Sequence, residues 1–127
     1  MVIGVGVDVV DLERFARSMT RTPQLGERLF GESDHHGIPE GDARIQSLAA
    51  RFAAKEAALK ALGGDVPGFS WHDIQVTKSD SGAPSLVVSG GVAERAQQKG
   101  VTSWHLSLSH DGPVAVAFVI AESEGVS

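Results

Sequence analysis

Met1–Phe15 reads MVIGVGVDVVDLERF. In an extended strand successive side chains point to opposite faces, so Ile3, Val5, Val7 and Val9 share one side and Gly4, Gly6 and Asp8 the other. The expectation is a first strand over residues 2–10 whose valine face is ordinary core. The opposite face is bare backbone that ends in a carboxylate. Glycine there admits the close approach of another backbone or of a ligand. A lone acid at the end of such a cleared face asks for a partner.

Working outward, Asp11 is placed to cap a helix from about Leu12 to Met19. Residues 31–42, GESDHHGIPEGD, read as loop. Asp42 then starts the strongest helix, DARIQSLAARFAAKEAALKAL, rich in alanine, leucine, lysine and glutamate and stopped by Gly63-Gly64. SWHDIQVTK and SLVVS flank the turn Asp80-Ser81-Gly82-Ala83-Pro84 as a hairpin, and Gly91–Gln98 is a short helix closed by Gly100. TSWHLSLS and VAVAFVIA are the last strands, joined through His110-Asp111-Gly112-Pro113, an Asp-Gly hairpin signal. The tail over 122–127 is expected to fray. The order β-α-α-β-β-α-β-β predicts an α+β fold: an antiparallel sheet built from hairpins, with one long helix and two short ones, in a single domain over 1–127.

The 127 residues carry 42% hydrophobic and 21% charged residues, the balance of an ordinary folded domain large enough for a real core. A net charge of −5 argues against broad nucleic-acid binding. No apolar run nears the ~20 residues of a membrane span. The N-terminus is a strand pattern without a basic leader, and cysteine is absent, so the expected location is the cytoplasm. Charge is unevenly placed. Arg14, Arg17, Arg21 and Arg28 stand against the single acid Glu27, and the first three fall at helical spacing. They read either as a solvated helix face or as a basic dock for an acidic partner.

On the long helix Ile45, Leu48, Phe52, Leu59 and Leu62 form an apolar stripe, and Lys55, with Glu56 beside it, fills the gap. Charges bordering a core face are costly unless paired or used. Lys60 lies one turn beyond Glu56, which fits a surface i,i+4 pair worth ~0.3–0.5 kcal/mol. If Asp8 instead meets Glu56, the two carboxylates repel, by about 4 kcal/mol at 4 Å and an effective dielectric near 20. A shared proton, a lysine or a metal must offset that. Two carboxylates with open positions suit Mg²⁺, which completes its shell with water and phosphate oxygens.

Ser109-His110-Asp111 is not a hydrolytic triad, because neighbours on a strand point apart. His35-His36 lacks a third ligand and reads as solvated. Gly4-x-Gly6 lacks the third glycine of a dinucleotide fingerprint, position 9 being Val9.

Three blocks together resemble the holo-[acyl-carrier-protein] synthase family, the small 4′-phosphopantetheinyl transferases. Gly4-Val5-Gly6-Val7-Asp8 is similar to that family's N-terminal strand, RFAAKEAALKALG over Arg51–Gly63 to its signature helix, and Ser107-Leu108-Ser109-His110-Asp111 to its Ser-x-Ser-His block. Weaker echoes are Phe69–Ile74 and Gly82-Ala83-Pro84. The resemblance implies transfer of 4′-phosphopantetheine from coenzyme A to a serine of an apo-acyl carrier protein, with release of adenosine 3′,5′-bisphosphate. It implies that Asp8 and Glu56 hold Mg²⁺, or Mn²⁺, and that Lys60 serves the leaving phosphate. A water held by the metal, Asp8 or His110 takes the serine proton. Arg51, Lys55, Ser109 and His110 are implied for phosphate charge, and Gly82 and Pro84 for the nucleotide-side loop. Arg14, Arg17, Arg21 and Arg28 become the carrier dock. The family's habit is a homotrimer with shared active sites. Many relatives carry a basic residue where this chain has Ala83. The rival reading is a non-catalytic coenzyme A or carrier-protein binding module of the same fold, which has no need of a complete Asp8, Glu56 and Lys60 set. A small structural oligomer would leave Asp8 and Glu56 far apart.

Overall fold

The structure is a computed structural model that describes residues 1–35 and 37–124. The expectation for His36 therefore lies outside the described residues, as does that for the tail from Gly125 on. The elements run β1 (Val2–Asp11), α1 (Leu12–Arg21), α2 (Leu25–Leu29), α3 (Asp42–Ala61), β2 (Ile74–Lys78), β3 (Pro84–Val88), α4 (Gly90–Gln98), β4 (Ser103–Asp111) and β5 (Val114–Glu122), with 3₁₀ turns at Glu32–His35 and Trp71–Asp73. The α+β class and antiparallel pairing stand as expected, with two refinements. Three short helices, not two, accompany the long one, because α2 occupies a stretch that carried no clear pattern. The second hairpin begins at Ile74 and not at Ser70, because a reciprocal Ser70–Asp73 capping box winds Trp71–Asp73 into a turn. Glu122 belongs to β5 and is not frayed.

The strands make two antiparallel sheets. One has the order β1-β5-β4 and the other pairs β2 with β3. Asp8, Ala117 and Leu108 are in register across the first, as are Val7, Phe118 and Ser107. α3 lies across this sheet, and the sides are the reverse of the sequence expectation. The glycine face of β1 is the one that packs inward. A Cβ on Gly6 would sit 1.8 Å from the Ala57 carbonyl oxygen, and one on Gly4 1.8 Å from that of Ala61. Backbone meets backbone there, which no other residue permits. The valines face out, with Val5, Val7 and Val9 half exposed beside Phe118. Alternation fixes which residues share a side; it does not say which side the helix takes.

The same close approach explains α3. Its most buried face is alanine: Ala49, Ala50, Ala53, Ala54, Ala57, Ala58 and Ala61. Of the larger stripe, Leu48 and Leu62 are buried, while Ile45, Phe52 and Leu59 pack at its margins. Small side chains on the helix and alanines at 115, 117 and 121 on β5 let the layers close.

Candidate active site

Asp8 stands where the cleared face of β1 runs out, on the same side as Gly6 and in register with Ala117. Gly6 draws the strand onto α3, and the carboxylate two residues later pairs with a lysine of that helix. Lys60 Nζ lies 3.0 Å from Asp8 Oδ1 and 3.1 Å from the Val7 carbonyl oxygen. The expected Glu56–Lys60 pair is replaced by this longer-range one. Asp8 and Glu56 both line one cleft of about 490 Å³. The two acids are therefore not far apart, as a small structural oligomer would have left them.

The cleft lining is mixed. Asp8, Asp11, Glu56, Arg14 and Arg28 supply charge, while Phe15, Leu25, Leu29, Phe52 and Trp71 supply an apolar wall. Asp11 caps α1 through the amide of Arg14 at 2.8 Å, which fixes where that helix presents its arginine. Phe52 stacks on Phe15 with ring centroids 5.8 Å apart and tilts against Trp71 at 5.5 Å. Burial pushes the Glu56 carboxyl above the usual range; the Asp8 charge adds to this and Lys60 partly offsets it. Asp8 and Glu56 are thus near enough for the charge of one to disfavour that of the other. Among the described residues no three or more His, Cys, Asp or Glu side chains are placed to hold a metal ion. The oxygen set here is Asp8 and Glu56, which fits Mg²⁺ only with water or substrate oxygens completing the shell.

The other expected residues separate. Arg14 and Arg28 line the cleft; Arg17 and Arg21 are exposed on α1 beyond it. Gly82 and Pro84 lie at the β2–β3 hairpin, with Gly82 at φ 88°. Ser109 and His110 are exposed near the β4–β5 turn. None of these four lines the cleft of a single chain. Arg51 and Lys55 are a correction. Both are buried, at 1% and 0% exposure, so neither is open to a phosphate. Burial lowers the pKa of each, and Asp34 works against that shift.

Lys55 belongs to a core network that the sequence did not disclose. Its Nζ donates to Asp34 Oδ2 at 2.8 Å, to the Trp71 carbonyl at 2.9 Å and to the Ile74 carbonyl. Asp34 in turn accepts from the amides of Gly31 at 2.9 Å and Val76 at 2.8 Å. All three ammonium donors are used. Asp34 lies in the stretch read as featureless loop. The apolar wall was also missed, although Trp71 falls within the weaker echo at Phe69–Ile74.

With this geometry in hand, comparison with known proteins is direct. Residues 4–119 match the model of the 4′-phosphopantetheinyl transferase superfamily. The chain is 56% identical over 123 residues to the holo-[acyl-carrier-protein] synthase of Streptomyces griseus, covering 96% of this chain and 99% of that one. Among solved structures, the Neisseria meningitidis holo-[acyl-carrier-protein] synthase superposes with a TM-score of 0.86 at 30% identity, over 97% of this chain and 100% of that one. A Bacillus anthracis holo-(acyl-carrier-protein) synthase, solved in complex with CoA (3′,5′-ADP), gives 0.79 at 32% identity over 98% and 99%. On these matches the chain belongs to the 4′-phosphopantetheinyl transferase superfamily.

Proposed function

We propose that the protein is a holo-[acyl-carrier-protein] synthase: it moves 4′-phosphopantetheine from coenzyme A to a serine of an apo-acyl carrier protein and releases adenosine 3′,5′-bisphosphate. The observation that carries this is Asp8, which lines one cleft with Glu56 and pairs with Lys60 at 3.0 Å. A module that only binds has no use for two crowded carboxylates and a lysine.

Asp8 and Glu56 are the residues that would hold Mg²⁺, with Mn²⁺ as a substitute. Bound there, the ion supplies positive charge against the coenzyme A pyrophosphate. The chain's own residues do the rest. The serine Oγ forms a bond to the phosphorus that carries pantetheine, and the bond from that phosphorus to the oxygen bridging the two phosphates breaks. Lys60, half exposed beside Asp8, neutralises the departing phosphate and can give it a proton. The serine proton goes to a carboxylate oxygen of Asp8, with His110 as the second candidate.

Arg14, Arg17, Arg21 and Arg28 form the carrier dock, in which the fork of each guanidinium meets acidic side chains. Two of them, Arg14 and Arg28, reach the cleft itself. The chain assembles as a homotrimer with shared active sites. Support comes from the uncovered side of the first sheet, where Val5 is 52%, Val7 50%, Val9 58% and Phe118 42% exposed in a continuous patch. Assembly would also bring Ser109, His110, Gly82 and Pro84 of one copy toward the cleft of another. The protein acts in the cytoplasm, where carrier and coenzyme A meet; among the described residues no helix is long and apolar enough to cross a membrane.

The test is incubation with coenzyme A, Mg²⁺ and an apo-acyl carrier protein, followed by intact mass. A carrier heavier by one phosphopantetheine is expected. No gain on any of several carriers would sink the assignment.

A further inference from the structure

We propose that Asp34 and Lys55 are positioning residues for the substrate cleft: the bond from Lys55 Nζ to the Trp71 carbonyl, held taut by Asp34, fixes the indole wall against which coenzyme A binds. The inference rests on the transferase reading above.

Four segments meet at this pair. Asp34 comes from the turn after α2, Lys55 from α3, the Trp71 carbonyl from the turn before β2, and the Ile74 carbonyl and Val76 amide from β2 itself. The side chains of both residues are fully buried. A buried ion pair is not a cheap way to hold a core together, since apolar side chains of the same volume often do as well. What such a pair does supply is direction. The ammonium has one donor for each of its three acceptors, so it sets the Trp71 backbone relative to α3. Trp71 then packs on Phe52, one turn before Glu56, and both rings line the cleft. Phe69 meets Trp71 edge-on at 5.0 Å.

A cleft of about 490 Å³ is of small-molecule size, so its wall touches coenzyme A in preference to the carrier. The wall is not a reacting group. Its displacement should weaken binding of ground state and transition state alike, raising KM and leaving kcat.

The experiment uses Asp34→Asn/Lys55→Met, which removes both charges together and so avoids stranding one in the core. It is made in a Trp104→Phe background, where Trp71 is the sole tryptophan. Expected are a cooperative melt, a red-shifted Trp71 emission, and a KM for coenzyme A raised about fivefold or more with kcat within about twofold. A merely structural pair would lower the folded fraction, and with it the apparent kcat, but leave KM alone. A folded double variant with wild-type KM overturns the proposal, whatever its emission. Should the double variant not fold, Lys55→Arg decides: it keeps the charge but not the donor geometry, and the same rise in KM is expected. A wild-type KM there also overturns it. Wild-type protein that modifies no carrier would instead bring down the transferase reading, and this inference with it.

Discussion

Lys60 Nζ sits 3.0 Å from Asp8 Oδ1, so a helix cation already neutralises the strand acid that the glycines deliver. Removing either partner should impair chemistry without unfolding the chain, because the pair is partly open to solvent and stands outside the buried core. Asp8→Ala and Glu56→Ala are expected to abolish carrier modification, and Lys60→Ala to lower kcat about a hundredfold. Intact mass of the carrier and circular dichroism of the enzyme check both halves. Full activity in Asp8→Ala or Glu56→Ala would remove the metal assignment.

The raised Glu56 carboxyl gives a pH dependence with a definite sign. The folded chain holds this proton more tightly than the unfolded chain does. Stability from that preference is complete below the ordinary glutamate pKa of about 4.3 and is lost as pH rises through the raised folded value. In metal-free protein Glu56→Gln should therefore raise Tm at pH 8, with the gain shrinking as pH falls toward the ordinary glutamate range. Mg²⁺ should raise the wild-type Tm at pH 8 and leave that of Asp8→Ala unchanged. Thermal melts over a pH series read both effects.

Gly6 has no room for a side chain. A Cβ there would stand 1.8 Å from the Ala57 carbonyl oxygen, which is backbone and cannot swing away. Gly6→Ala is expected to destabilise by at least about 3 kcal/mol, beyond ordinary overpacking. Val7→Ala, on the outward side, is the control and should cost the folded chain far less. Urea unfolding of the two variants makes the comparison.

The outward valine and phenylalanine patch predicts assembly. Val7→Lys places a charge at its centre, between Phe118 and its neighbours. The variant should elute and sediment as a monomer while keeping its secondary structure, and it should lose transfer activity with the shared sites. A wild-type protein that is itself monomeric would dismiss the trimer.

Charge reversal tests the dock. Arg17→Glu or Arg21→Glu, beyond the cleft on α1, should raise KM for the carrier about tenfold and KM for coenzyme A little, and added salt should narrow the difference. Equal effects on both substrates would refute docking.

Much of this architecture was legible in residue pattern. Strand alternation, the alanine-rich helix with its Gly-Gly stop and the Asp-Gly hairpin each rest on local backbone preferences, and each element appears near its expected bounds. The sidedness of β1 was not legible, because valine and glycine faces are both consistent with burial until the partner's side-chain size is known. Lys55 shows a different limit. Its place in an apolar stripe demanded a counter-charge, but nothing local pointed to Asp34, a residue of irregular loop that reaches it only through the fold. The apolar wall was hidden for the same reason: Phe15, Leu29, Phe52 and Trp71 come from four separate segments.

β1 pairs with β5, so strands more than a hundred residues apart in sequence lie side by side in the sheet (Val5 opposite Ile120, Asp11 opposite Val114). Local helices can form early, but joining strands so distant closes a long loop and comes late. Until that loop closes, the chain carries both acids yet holds them in no common geometry. Catalytic competence therefore waits on the slowest contact of the fold, and a lesion in β5 far from Asp8 would silence the site as surely as one beside it.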